Sequence, residues 1–331
     1  MLLLPAVSTR KPQLTRVVTG LIALFGLVPA AHSQAVRQGS GPVCAIDMGS
    51  NTFRRIVGSF QDGKYVQRSI EKKPIAIGDD VAQHGRITDA KLAEIGAVLS
   101  AYKTSCVKDG ATRIAAIGTA AFRDASNGAS VIGIAASAGV PMEIATETRE
   151  SELAYLVGSL GRHGYAVIDN GSRSIELVAE SAGGLRHTVF NLGYRVAYGK
   201  FFAAESDPAT AVAEYRDHLR LEASKASFMT GQQNLVGLEF GEMIDVLFEA
   251  GAVEGRILTL QQLRERLDRI TAAGPSGFKR LKQTKDIDRA LPRLVAAEFL
   301  TRAFGYTSLE LTDRELGAGL IVEAASGRRG P

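Results

Sequence analysis

Two short segments of this 331-residue chain hold the residue types that phosphate chemistry needs. In Ile46-Asp47-Met48-Gly49-Ser50-Asn51-Thr52 an aspartate closes an apolar run, and small polar residues follow it. A tight turn of that kind presents successive backbone N–H groups and a hydroxyl to an anion. An aspartate at the strand end can hold a hydrated Mg²⁺ against the same anion. Asp169-Asn170-Gly171-Ser172-Arg173-Ser174 repeats the theme in the second half of the chain. Two Asp-headed turns facing each other across a cleft would clamp a metal and a phosphate group. The same strings also make ordinary hairpin turns, so the elements around them decide between the two readings.

Those elements follow from hydrophobic patterning. Val43–Met48 reads as a buried strand, Thr52–Phe60 as its partner, and Asp62-Gly63 as the turn into a third strand over Lys64–Lys73. Thr88-Asp89 caps a helix with Leu92, Ile95, Val98, Leu99 and Tyr102 at helical spacing. Strands are expected at Arg113–Gly118 and Met142–Thr146, and helices over Ala120–Gly139 and Arg149–Leu160. The strand–turn–strand–turn–strand unit then restarts at Tyr165, with strands at Tyr165–Asp169, Ser174–Glu180 and Leu185–Phe190. A unit that occurs twice implies two similar α/β domains around a cleft, with a hinge near Gly161–Gly164. The remainder reads as mainly helical, with a strand near Leu309–Thr312 and a last helix from Glu315. The expected organisation is a first domain over 41–160 and a second over 161–326.

The chain opens with Arg10, Lys11 and Arg16 ahead of the apolar run Val17–Ala30, then small residues through Ala35. That pattern suits a secretory leader over 1–35 and is too short to span a bilayer. An exported, periplasmic or secreted protein with no membrane span after leader removal is therefore expected. The net charge of +4 includes the three leader cations, so the remainder carries about +1. No global attraction to nucleic acid follows, and any anion site must be local. Cys44 and Cys106 are the only cysteines. Export permits a bridge between them, but two separate buried thiols fit the pattern equally well. A homodimer is left open. No CxxC or HExxH string supports a zinc site.

Five segments taken in order resemble the exopolyphosphatase and guanosine pentaphosphate phosphatase family. They are Ala45–Arg54, Gly118-Thr119-Ala120-Ala121-Phe122-Arg123-Asp124 with its continuation to Gly128, Arg149-Glu150-Ser151-Glu152-Leu153-Ala154-Tyr155, Ser174–Val178 and Leu192-Gly193-Tyr194-Arg195. The resemblance implies an actin-like, ribonuclease H-like ATPase-domain fold and Mg²⁺-assisted release of phosphate from polyphosphate or a related phosphoanhydride. It implies that Glu150 is the general base and that Arg123 reaches the phosphates. It places Asp47, Asp169 and Glu176 at metal positions, and Gly49, Ser50, Asn51, Gly171 and Ser174 in the phosphate loops. Read without the resemblance, Glu150 is one of several acids that favour a helix N-terminus, and Arg123 has acids nearby for a surface ion pair.

The chain also departs from that pattern. The glycine run of the second loop is Gly171-Ser172-Arg173, where side chains restrict positive φ and close backbone approach. Glu147 and Glu152 add negative charge beside the base. A later Gly-Thr loop reads Gly237-Leu238-Glu239, and a terminal Arg-Glu-Gly reads Gly317-Ala318-Gly319. Two functions follow: a phosphohydrolase, or a catalytically impaired polyphosphate- or anion-binding protein on the same fold.

Overall fold

The computed structural model describes residues 41–248 and 255–327, so the leader expected over 1–35 lies outside the described residues. The first half runs β1 (Val43–Met48), β2 (Thr52–Gln61), β3 (Lys64–Pro74), α1 (Ile77–His84), α2 (Asp89–Lys108), β4 (Arg113–Gly118), α3 (Ala120–Asp124), α4 (Ser130–Ser137), β5 (Met142–Ile144) and α5 (Glu147–Ser159). The second continues with β6 (Tyr165–Asn170), β7 (Ile175–Ser181), β8 (Gly184–Phe190), α6 (Tyr194–Ala197), α7 (Pro208–Ala223), β9 (Asn234–Leu238) and α8 (Gly241–Leu247). It ends with β10 (Arg256–Thr259), α9 (Leu260–Ala272), α10 (Gly274–Leu281), α11 (Ile287–Ala303), β11 (Ser308–Thr312) and α12 (Gly317–Ser326).

The strand order of the first sheet is β3-β2-β1-β4-β5, and that of the second is β10-β11-β9-β6-β7-β8. In each, an antiparallel meander opens the sheet and two parallel strands extend it on the other side, with β10 added antiparallel at the edge of the second. The duplicated unit inferred from the turns is therefore a duplicated sheet, in the order of the actin-like fold. Each sheet has its own core, one gathered around Ile46, Phe53 and Tyr102, the other around Ile168, Phe202 and Tyr215. A third cluster joins them, with Ala45 and Ile117 from one sheet, Val167 and Val236 from the other, and Leu153 of α5 and Ile321 of α12 between.

Helix α12 lies against the first sheet. The span 161–326 placed it with the second half, yet it packs on β1, β2 and α5. Its Gly-Ala-Gly start explains how. A Cβ at Gly319 would stand 2.7 Å from the carbonyl oxygen of Leu153, and one at Gly317 would meet the Cβ of Asp47 at 3.4 Å. The missing Arg-Glu-Gly is thus occupied by a close-packed helix start. Helix α5 begins two residues earlier than expected, at Glu147, because the Thr146 hydroxyl caps it by accepting from the Arg149 N–H.

Cys44 on β1 and Cys106 on α2 form a disulfide with a sequence separation of 62, wholly buried in the first core. Among the described residues, no helix is long and apolar enough to cross a membrane.

Candidate active site

The two turns face one another. Asp47 and Asp169 each sit one residue before the end of their strands, β1 and β6, and their loops line a single cavity of about 90 Å³. Asp47, Gly49, Ser50, Asn51, Glu150, Asp169, Gly171, Ser174 and Glu176 all contribute to its wall. Of the site residues expected from sequence, only Arg123 does not. Its guanidinium donates to the Ala145 carbonyl at 2.7 Å and to a Glu150 carboxylate oxygen. In this structure the Arg123 side chain is thus engaged with Glu150, outside the cavity wall.

The second loop is less impaired than its sequence suggests. Neither Ser172 nor Arg173 has positive φ, so side chains there cost no backbone strain. The carbonyls of Gly171, Ser172 and Arg173 accept main-chain N–H bonds from Tyr194, Arg195 and Gly193 at 2.9–3.1 Å. A Cβ at Gly193 would lie 2.4–2.5 Å from the loop backbone, so only glycine permits this brace. The Arg173 side chain, which lines the cavity, reaches across to Asp124 at 2.9 Å. On the first-half side, Arg195 approaches Asn51 Oδ1 at 3.3 Å and Asp79 at 3.4 Å.

Strand register sets the electrostatics. Asp47 stands opposite Arg54, whereas Asp169 stands opposite Glu176. Like charges directly opposite each other destabilise a sheet, so the second pair opposes folding unless a proton or cation intervenes. Five carboxylates and two guanidinium groups line the cavity. Burial lifts the Asp47 carboxyl to about 6, with Arg54 opposing. Burial lifts Glu150 to about 7, with Arg123 opposing and the Asp47 and Glu147 charges adding to the rise. Asp169 and Glu176 are both raised, first by burial and then by the carboxylates around them. One Asp169 oxygen is buried without a hydrogen-bond partner, while Glu176 accepts from the Ser174 hydroxyl.

Such a surplus of acid repels a phosphate unless a cation offsets it. The donor set is oxygen-only, which suits Mg²⁺. Among the described residues no three His, Cys, Asp or Glu side chains gather as a ready ligand cage. Asp47, Asp169 and Glu176 are therefore not a preformed triad, and Asp47 is already 3.3 Å from Arg54. Mg²⁺ commonly needs only one or two carboxylates, with waters and substrate oxygens completing its shell. Asp169 and Glu176 fit that smaller role.

Sequence reasoning gave no role to the charged network beneath the cavity. Arg54 lies 3.3 Å from Asp47, 3.4 Å from Glu239 and 2.8 Å from Glu315. Lys72 lies 2.5 Å from Glu315, and Arg293 3.6 Å from Glu239. Arg293 is almost wholly buried, donates to the Asn170 carbonyl and stacks over the Tyr194 ring at 4.3 Å. Its signal was a lone arginine inside the apolar run Leu291–Val295. Arg54 could have been found from the hairpin register.

The family model described as the Ppx/GppA phosphatase family matches residues 57–323. Among solved structures, the Aquifex aeolicus Ppx/GppA family member is 22% identical, with a TM-score of 0.72, covering 86% of this chain and 98% of that one. An exopolyphosphatase from Cytophaga hutchinsonii is 18% identical, with a TM-score of 0.68, covering 88% of this chain and 100% of that one. At these identities the structures establish the fold. No curated protein matches the sequence.

Proposed function

Because this chain belongs to the Ppx/GppA phosphatase family, we propose that it hydrolyses the terminal phosphoanhydride bond of polyphosphate or a related phosphate chain, with Glu150 as general base. The observation that carries this reading is the position of Glu150. It is a half-buried carboxylate held by Arg123, in the wall of a cavity that both Asp-headed turns line.

In this mechanism Gly49, Ser50 and Asn51 hold the terminal phosphoryl group from one side, and Gly171 and Ser174 from the other. Glu150 orients a water and takes its proton as the water oxygen bonds to phosphorus. The bond to the bridging oxygen breaks, and the shortened chain leaves with the electron pair. Asp169 and Glu176 would hold Mg²⁺, which when bound neutralises charge on the phosphoryl oxygens. Arg123 is a positioning residue that fixes the carboxylate's direction.

We place the activity outside the cytoplasm, on the leader expected from residues 1–35. The Cys44–Cys106 bridge supports that placement, since such bonds persist in oxidising compartments. A second reading, a non-catalytic anion-binding protein, has one observation in its favour: Arg54 is already engaged by carboxylates of the chain itself. Phosphate release from polyphosphate with Mg²⁺, by the leaderless protein beside Glu150→Ala, separates the two. Release that falls by about 100-fold or more in the variant, the scale of a lost general base, supports the hydrolase. Binding without release by the unaltered protein would establish the binder.

A further inference from the structure

Glu239 departs from its surroundings in three ways at once. It follows β9 directly, one residue past Leu238, the register partner of Asp169, and adopts φ 61°, a left-handed conformation that non-glycine side chains rarely take. Its carboxylate lies between two cations from opposite sides, Arg54 of β2 and Arg293 of α11. It also lines two cavities: the phosphate cavity of about 90 Å³ and an adjoining one of about 540 Å³. The two share Thr52, Arg54, Tyr194 and Glu239, so these residues form the partition between them. Lys72, Arg289 and Arg293 stand on the far side, together with Asp245, Asp313 and Glu315.

We propose that Glu239 is the specificity-determining residue of this site: its carboxylate, lodged between Arg54 and Arg293, walls off the larger cavity and confines this end of the site to a single phosphoryl group. The proposal rests on the phosphohydrolase reading above and names the form of substrate that reading admits. A carboxylate between two guanidinium groups takes the place that a second phosphoryl group would otherwise hold, because both anions seek the same planar donors. The surrounding charges hold Glu239 in place. Burial works against its charge, but Arg54, a hydrogen bond with Glu315, Arg293 and Lys72 keep it ionised. The left-handed backbone then sets its direction, since a residue free to relax into an ordinary φ would not stay aimed at the partition.

A size limit and a charge effect are separable by substitution. Glu239→Gln keeps the volume and removes the charge. Glu239→Gly removes the wall and suits the left-handed φ. Glu239→Asn also tolerates that φ with a shorter side chain, and serves if the glycine variant melts early. Calorimetric titration with orthophosphate and with imidodiphosphate, whose bridging nitrogen resists hydrolysis, reads binding without turnover. The unaltered protein and Glu239→Gln should bind the two ligands in the same ratio, although both affinities rise in the glutamine variant. Glu239→Gly should bind imidodiphosphate about tenfold more tightly relative to orthophosphate, the gain from one added charge-assisted contact.

An unchanged ratio in folded Glu239→Gly or Glu239→Asn overturns the proposal. So does a glutamine variant that matches the glycine variant, because charge alone would then be acting. A protein that binds neither ligand in any form overturns it as well. Failure of the hydrolase reading appears elsewhere, as absent phosphate release in the Glu150 comparison, and leaves the binding ratio intact.

Discussion

Glu150 is subject to two opposing influences, and their balance predicts its behaviour. Burial raises its pKa to about 7 while the Arg123 guanidinium pulls it down. A general base works ionised, so kcat/KM for phosphate release should rise with pH through about 7 and level off above it. Arg123→Gln removes the downward pull and should move that rise to higher pH, whereas a purely structural role for Arg123 would lower the plateau and leave the profile in place. The sequence made Glu150 legible through its motif and helix start, but not the direction of Arg123. Which way a guanidinium points depends on the Ala145 carbonyl, and no local pattern records that. Glu315 and Lys72 were hidden for the same reason, since they meet only when the last helix returns to the first sheet.

At the level of elements, the strands around the two turns were largely readable and the connections that seat them were not. Strand β9 is five residues, Asn234–Leu238, paired in parallel on both sides and carrying a glycine. A run that short and that buried has no alternating pattern to read. Its placement beside β6 pairs Leu238 with Asp169 and so brings Glu239 to the same end of the sheet. Gly193 and Gly319 are the sharpest tests of how elements are seated. Gly193→Ala forces a methyl into the loop backbone and should cost about 1–3 kcal/mol of stability together with a loss of phosphate affinity. Gly319→Ala presses on α5 and should destabilise by a similar amount, about 1–3 kcal/mol, while folded protein keeps its affinity. Denaturant melts and phosphate titrations of both variants check the contrast.

For the whole molecule, the buried acids couple stability to pH and to cations. Asp47 and Glu150 titrate higher in the folded chain than their ordinary 3.8 and 4.5. Below those values both states are protonated and the groups contribute no difference. As pH rises toward about 7 the unfolded chain releases protons that the folded chain keeps, so stability falls; it levels off once the folded groups have also ionised. Mg²⁺ should therefore raise Tm more at pH 8 than at pH 5.5, by about 1.4 kcal/mol of stabilisation at ten times its Kd. An equal rise at both values would show that the cation binds elsewhere. The disulfide closes a loop of 62 residues, and the chain-entropy model assigns such a loop about 4 kcal/mol. Reductant, or Cys44→Ala with Cys106→Ala, should lower Tm by several degrees. The duplicated sheet was visible in the sequence because turns leave local signatures; the return of α12 to the first half was not, because close packing of Gly317 and Gly319 looks like a lost motif until both sheets are seen. The contacts of Arg173 with Asp124 and of Arg195 with Asn51 and Asp79 span the outer edge of the cleft from opposite halves. Exposed pairs of this kind are weak, worth about 0.2–1 kcal/mol each, and salt screens them. On the phosphohydrolase reading proposed above, they would act as a latch whose strength the medium sets, and phosphate release should quicken as ionic strength rises.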